Sequence, residues 1–217
     1  MRERDLIRLM TWLSPAFPVG AFAYSHGLER AIHDGLLLDD ASLEGWLSDL
    51  MMHGSAWNDA VLLADAWRNA KAAETIASTA QLGEALAGSS ERHKETMLQG
   101  EAFLKAAAPW TGDLEMPTPL PYPVALGLVA SRCGIELEPA LAAFLHGFLA
   151  NLVQAAIRAI PLGQNAGLEV LARLEALVVE TAWRAARSSL SDLGTAAFLS
   201  EVMSMKHETQ YSRLFRS

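Results

Sequence analysis

Cysteine is almost missing from this chain: Cys133 is the one thiol in 217 residues. A single thiol forms no internal disulfide and no thiolate zinc centre, so a disulfide scaffold and a zinc ribbon are excluded and a reducing compartment, most simply the cytoplasm, is expected. Positive charge is scarce too, with 17 Lys and Arg against 25 Asp and Glu and a formal net charge of -8. Nucleic-acid affinity is built largely on cationic contacts to phosphates, and that footprint is lacking. Sustained period-two alternation rich in β-branched residues is also missing, so no segment reads as a strand. The stretch 140–160 comes nearest to a membrane span, but it holds His146, Asn151, Gln154 and Arg158. A charge at bilayer depth costs about 2.5–3.5 kcal/mol on insertion scales, which makes a buried core helix the better reading. At the N-terminus, Glu3 and Asp5 spoil a positive leader and Pro15 and Pro18 interrupt the apolar run, so no signal peptide is expected.

Familiar catalytic signatures are missing as well. The chain has no phosphate loop ending in Gly-Lys-Ser/Thr and no strand-linked Gly-x-Gly-x-x-Gly. Ala23-Tyr24-Ser25-His26-Gly27 lacks the first glycine of a nucleophile elbow and the strand that would strain it. His207-Glu208 opens like a zinc-protease helix, but Tyr211 stands where the second imidazole is needed. The six histidines (26, 33, 53, 93, 146 and 207) show no ligand spacing, which leaves a metal site only between two copies of the chain. An enzyme would have to be a helical one with an unfamiliar site.

What is present is helix-forming and apolar, 51% of residues being hydrophobic. Leu6, Leu9, Met10 and Leu13 share one helical face before Pro15 and Pro18 stop the segment. A short helix is expected from Ser25 to about Ile32 and a longer one from Asp40 carrying Leu43, Trp46, Leu47 and Leu50. Residues 59–86 read as one long helix or two in series, and Ser89-Ser90 opens another that reaches about Ala107, before Pro109. Prolines 117, 119, 121 and 123 make a stiff loop over about 116–123. Further helices are expected over Tyr122 to Arg132, from Pro139 to about Ile160, through Leu168, Leu171, Leu174, Leu177 and Val178, and from Asp192 to about Lys206. The fold class predicted is all-α, a single compact bundle of about eight to ten helices over residues 1–217.

Three features remain outside that frame. Residues 15–24, Pro-Ala-Phe-Pro-Val-Gly-Ala-Phe-Ala-Tyr, are apolar where a loop is normally polar, and read either as a buried crossover or as an exposed aromatic binding surface. His146, Gln154 and Arg158 form a polar stripe beside the core face of Leu141, Phe144, Leu145, Phe148, Leu152 and Val153, either a wet side or an interface anchored by Arg158. The tail 207–217 mixes cations with Tyr211, Leu214 and Phe215, a composition closer to an interface hot spot than to a fraying end.

Three blocks resemble the urease accessory protein F (UreF) family. They are Leu13-Ser14-Pro15-Ala16-Phe17-Pro18-Val19-Gly20 with Ser25-His26-Gly27-Leu28-Glu29, then Ile160-Pro161-Leu162-Gly163-Gln164-Asn165, then His207-Glu208-Thr209-Gln210-Tyr211-Ser212-Arg213-Leu214-Phe215. The blocks lie in family order and span nearly the whole chain. The resemblance implies an all-helical, homodimeric, cytoplasmic chaperone of nickel insertion into urease, with no catalytic site, no resident metal and no tightly bound cofactor. Nickel would be handled by the assembled complex. Implied partners are a scaffold accessory protein (D or H), a nickel-carrying GTPase (G) and the urease apoprotein. The resemblance implies that the N-terminal helix and the tail contact the scaffold protein and become ordered there, with His207, Glu208, Tyr211, Arg213, Leu214 and Phe215 as candidates. It places Phe22 and Arg158 in regions tied to dimer geometry and GTPase recruitment, and Tyr24, His26, His146 and Gln164 complete the expected partner-binding set. Some relatives carry Tyr for Phe22 and Lys for Arg158, so a mechanism needing the phenol hydroxyl would not transfer. An alternative is a GTPase activator that supplies Arg158 or Arg213 to the transition state, a contribution worth roughly 10³–10⁵ in rate where it operates.

Overall fold

Every regular element in the computed structural model, which describes residues 2–112 and 119–217, is helical. The expected proline-rich loop therefore lies partly outside the described residues, at 116–118. The α-helices are α1 (Glu3–Trp12), α2 (Leu28–His33), α3 (Asp40–His53), α4 (Ser55–Arg68), α5 (Ala73–Ala85), α6 (Ser90–Thr111), α7 (Tyr122–Arg132), α8 (Leu137–Ala159), α9 (Gln164–Ala185) and α10 (Phe198–His207), with 3-10 turns at Ala21–Ala23 and Leu190–Asp192. The expected all-α class is what is found.

Helix α4 is the centre. Its residues from Ala56 to Ala64 are all buried, so it lacks the wet side of a surface helix, and α3, α5, α7, α8 and α9 pack around it. Small residues permit the closest approach: a Cβ built on Gly127 of α7 would lie 2.3 Å from the Leu63 carbonyl oxygen. Local chemistry sets the starts. Asp39 and Ser42 cap α3 reciprocally, and the Ser89 hydroxyl accepts the Arg92 N–H at the head of α6. One cluster of buried apolar side chains draws on helices from both sides of residues 113–118, including Trp12, Leu47, Leu63, Phe103, Leu126 and Leu145.

Four expectations at the edges are corrected. The inward face of α1 is Asp5, Leu9 and Trp12, while Leu6, Ile7 and Met10 face outward. Trp12 decides the rotation, because its large ring packs edge-on to Phe103 and Trp110, and Arg2 neutralises Asp5 at 2.9 Å so that the carboxylate tolerates cover. Pro109 lies inside α6 and does not end it: in the last turn its missing N–H removes one bond, and half-buried Trp110 anchors the turn against Trp12 and Phe17. Helix α8 starts at Leu137, two residues before Pro139, and α10 starts only at Phe198. Before it, the backbone N–H groups of Ala196 and Ala197 reach the His53 carbonyl.

Among the described residues one helix, Leu137–Ala159, is long and apolar enough to cross a membrane; half of its most apolar window is buried against the rest of the chain. That burial matches the reading of 140–160 as a core helix.

The glycine contacts generate a paired prediction. Gly127→Ala drives a Cβ into a backbone carbonyl and is expected to destabilise the fold by about 1–3 kcal/mol. Gly45→Ala, on the exposed side of α3 with open space at the Cβ position, is expected to stabilise by about 0.5–1 kcal/mol. Urea titration of both variants against the parent chain measures the two signs.

Candidate protein-interaction site

Helix α8 holds the N-terminal loop by two side chains seven residues apart, which puts them on one helical face. Asn151 donates to the carbonyls of Ala21 (2.8 Å) and Tyr24 (3.4 Å), and Arg158 donates to that of Phe22 (2.8 Å). The Arg158 guanidinium also lies 4.3 Å from the centre of the Phe215 ring. The tail closes over the same loop: the Arg216 N–H reaches the Ala23 carbonyl at 2.7 Å, and the Ser25 N–H reaches the Ser217 carbonyl at 2.8 Å. Gly27 is required here by geometry as well as by its φ of +74°, since a Cβ would meet the Ser204 backbone nitrogen at 2.6 Å.

Residues 15–24 thus combine both readings of the sequence. Phe17 and Tyr24 are buried, whereas Phe22 projects with 62% of its surface exposed.

Behind the loop runs a buried ionic network. Helix α6 aligns Glu91, Glu95 and Gln99 on one face, with Arg92 beside them. Glu95 receives His26 Nε2 at 2.9 Å, Gln99 Nε2 at 3.2 Å and the Ser217 hydroxyl at 3.1 Å, and Arg92 bridges Glu95 to Asp59 of α4. Burial pushes the Glu95 carboxyl upward, but the charges of His26 and Arg92 and the hydrogen bonds from His26 and Ser217 outweigh it and hold it below its ordinary value. Asp59 goes the other way, because there burial exceeds the pull of Arg92 and His26. For Arg92 burial works against the charge, and Asp59, Glu95 and Glu201 together outweigh it, leaving the guanidinium above its usual value.

The network forms the floor of a cavity of about 610 Å³ walled by Trp12, Phe17, Phe144 and Phe148, with His146, Gln154 and Arg158 at its edge. Its floor groups already engage one another, His26 and Arg92 with Glu95 and Arg92 with Asp59. Among the described residues, no group of three or more His, Cys, Asp or Glu is disposed to hold a metal ion.

The tail continues from α10. His207 is fully buried between Glu91 (2.7 Å from Nδ1) and Glu29 (3.0 Å from Nε2). Glu29 also accepts the backbone N–H groups of Leu214 (2.7 Å) and Phe215 (3.0 Å), and Arg213 pairs with Glu91. Two large apolar side chains of the tail are left facing water, Tyr211 fully and Leu214 with 70% of its surface, and Phe198, Leu199, Val202 and Met205 make an apolar outer stripe on the adjoining α10.

The expected partner-binding residues therefore separate. Phe22, Tyr24, Arg158 and Phe215 come together at the loop, while His26 joins the ionic network beneath. His207 and Arg213 share Glu91, and Glu208 accepts the Ser90 N–H at 2.7 Å. Tyr24, His26, His207 and Phe215 are buried among groups of their own chain. His146 is exposed on α8 about 18 Å of helix rise from Arg158, and Gln164 is exposed at the head of α9. Asn151, Glu29, Glu91, Asp59, Arg92 and Glu95 belong to the arrangement but were not among the expected residues. Asn151 had a signal, an uncharged amide inside an apolar run, and Glu29 closes the Ser25–Glu29 block; α6 offers none.

The UreF family model matches residues 37–175. The urease accessory protein UreF of Mesorhizobium japonicum is 58% identical over 214 residues, covering 98% of this chain and 96% of its own. UreF 1 of Brucella canis and UreF of Brucella ovis are each 56% identical over 214 residues, covering 98% of this chain and 94% of theirs. The model match stops short of both the N-terminal loop and the tail, but the full-length relatives include them.

The network predicts an acid limb of stability. A carboxyl held low by the fold stabilises it above the ordinary value, and that contribution is lost as pH falls through the folded value. Glu95→Gln is expected to cost about 3–5 kcal/mol near neutrality, since it leaves Arg92 and His26 short of a buried counter-charge, and to flatten the loss of stability toward about pH 4. Denaturant titrations at the two pH values measure both effects.

Proposed function

The chain belongs to the UreF family of urease accessory proteins, and on that premise we propose that it serves urease maturation as a non-catalytic, cytoplasmic, homodimeric adaptor that joins a scaffold accessory protein to a nickel-carrying GTPase. Nickel is the cargo of the assembly in this reading and not a cofactor resident in this chain. The observation that carries it is the outward apolar surface of α10 and the tail. Tyr211, Leu214, Phe198 and Leu199 are large, exposed and contiguous in sequence with a segment that is otherwise firmly bound to the body. Aromatic and aliphatic anchors on a pre-ordered backbone lose little conformational entropy on binding. The outward Leu6, Ile7 and Met10 of α1 supply a second apolar patch suited to the same scaffold.

The GTPase surface is assigned to Phe22 and its supporting Arg158. To promote nickel transfer the adaptor must favour one nucleotide state of the GTPase, because equal affinity for both shifts nothing. An arginine finger is the weaker alternative. Both candidate guanidiniums are engaged at home, Arg158 by the Phe22 carbonyl and the Phe215 ring, and Arg213 by Glu91.

The test uses co-expression with the scaffold protein and the GTPase, read by size exclusion with light scattering. The Tyr211→Ala/Leu214→Ala double variant is expected to weaken scaffold binding by at least about 30-fold, the scale of a hot-spot residue, while stability moves by less than about 0.5 kcal/mol. Full binding by the variant places the contact on α1, and no complex with the intact chain overturns the adaptor reading. Arg158→Ala is expected to reduce GTPase recruitment; turnover lost with recruitment intact would favour the finger instead.

A further inference from the structure

The turn at Ala21–Ala23 lacks the means to hold itself. It closes two bonds of its own, the Ala23 N–H to the Gly20 carbonyl at 3.1 Å and the Tyr24 N–H to that of Ala21 at 3.2 Å, with Gly20 at a φ of +73° before them. No side chain caps it and none of its three residues is buried. A 3-10 segment this short is not stable by its own bonds, so its conformation is imposed from outside. Most of that hold comes from α8, through Asn151 to the carbonyls of Ala21 (2.8 Å) and Tyr24 (3.4 Å) and through Arg158 to that of Phe22 (2.8 Å). With these three carbonyls drawn onto α8, the Phe22 ring is left outward. The two holders differ in exposure. Arg158 is exposed and can meet a partner directly, whereas Asn151 is half-buried beneath the turn, on a stretch of helix fixed by the buried Leu149, Leu152 and Val153.

We infer that Asn151 is the positioning residue for Phe22: its amide fixes the turn over residues 21–24, and it acts on GTPase recruitment only through the ring so presented. The chemistry of the side chain suits this task. Both of its neighbours are carbonyl oxygens, which accept and cannot donate, so the NH₂ group faces them and supplies one N–H to each. A hydroxyl has a single hydrogen to give and an ionised carboxylate has none. Neither Asn151 bond involves the tail, which of the turn's carbonyls meets that of Ala23. The hold on the turn is therefore a property of α8 and the loop themselves.

The inference rests on the adaptor reading for its partner, and the experiment separates the two. Asn151→Leu keeps the size of the side chain and removes both donors, while Asn151→Ala removes the size as well. In the complex with the scaffold protein, hydrogen-exchange protection of the Ala23 and Tyr24 amides is expected to fall about tenfold in both variants, with the α4 amides unchanged. Protection retained in Asn151→Leu overturns the proposal, because leucine replaces a side chain that only fills space. GTPase affinity of the same complexes is the second readout. Asn151→Leu is expected to weaken it about tenfold in the parent chain and less than about twofold in a Phe22→Ala background, since two residues acting by one route are not additive. Equal losses in both backgrounds overturn the proposal. If Phe22→Ala leaves the affinity unchanged, the GTPase reading of this surface fails, while lost protection in Asn151→Leu still upholds the hold on the turn. If no scaffold complex forms, the adaptor reading fails and the exchange comparison on the intact chain alone decides the role of Asn151. Lost α4 protection would mark a leucine variant that does not fold, and the affinity cycle is then run on Asn151→Ala.

Discussion

Charge buried on α6 is the constraint on which the site depends. Glu91, Arg92 and Glu95 lie within two turns of one helix, largely out of solvent, and none of them is tolerable there unpaired. Beyond the Arg92–Glu95 and Gln99–Glu95 contacts within α6, their partners come from elsewhere in the chain. Asp59 comes from α4, His26 from the loop before α2, and His207, Arg213 and Ser217 from the last eleven residues. Packing α6 against the bundle thus commits the N-terminal loop and the tail to definite positions, although neither belongs to the helical core.

The same arrangement explains why so much apolar surface is left outside. Once α10 turns Ser200, Met203, Ser204 and His207 inward, Phe198, Leu199, Val202 and Met205 have no core to enter. Once Trp12 rotates α1 inward, Leu6, Ile7 and Met10 are left in water. An interior with matched charges and an exterior with unmatched apolar side chains is the distribution suited to a protein that works by contact.

Much of the fold was legible in the sequence because its causes are local. The Ser89 cap, the Tyr122–Arg132 limits and the buried Leu43, Trp46, Leu47 and Leu50 follow from capping and period. The failures share one cause. Local chemistry makes Pro109 a terminator, yet Trp110 holds the last turn through contacts with distant rings; the aliphatic residues of α1 predict one inward face, yet one tryptophan and one neutralised aspartate select another. In both, tertiary packing outweighed a local preference.

The site divides in the same way. The sequence by itself determined an all-helical chain, poor in catalytic signatures, with three blocks of residues that announced its family and included the tail. Those properties are written in composition, spacing and local order. Only the tertiary structure decided that Tyr24, His26, His207 and Phe215 turn inward while Phe22, Tyr211 and Leu214 turn out, and that Asn151, Glu29 and α6 hold them so. The physical reason is separation: the bonds that orient these side chains join residues 178 apart at His207 and Glu29 and 130 apart at Asn151 and Ala21, and no local pattern encodes a partner at that distance.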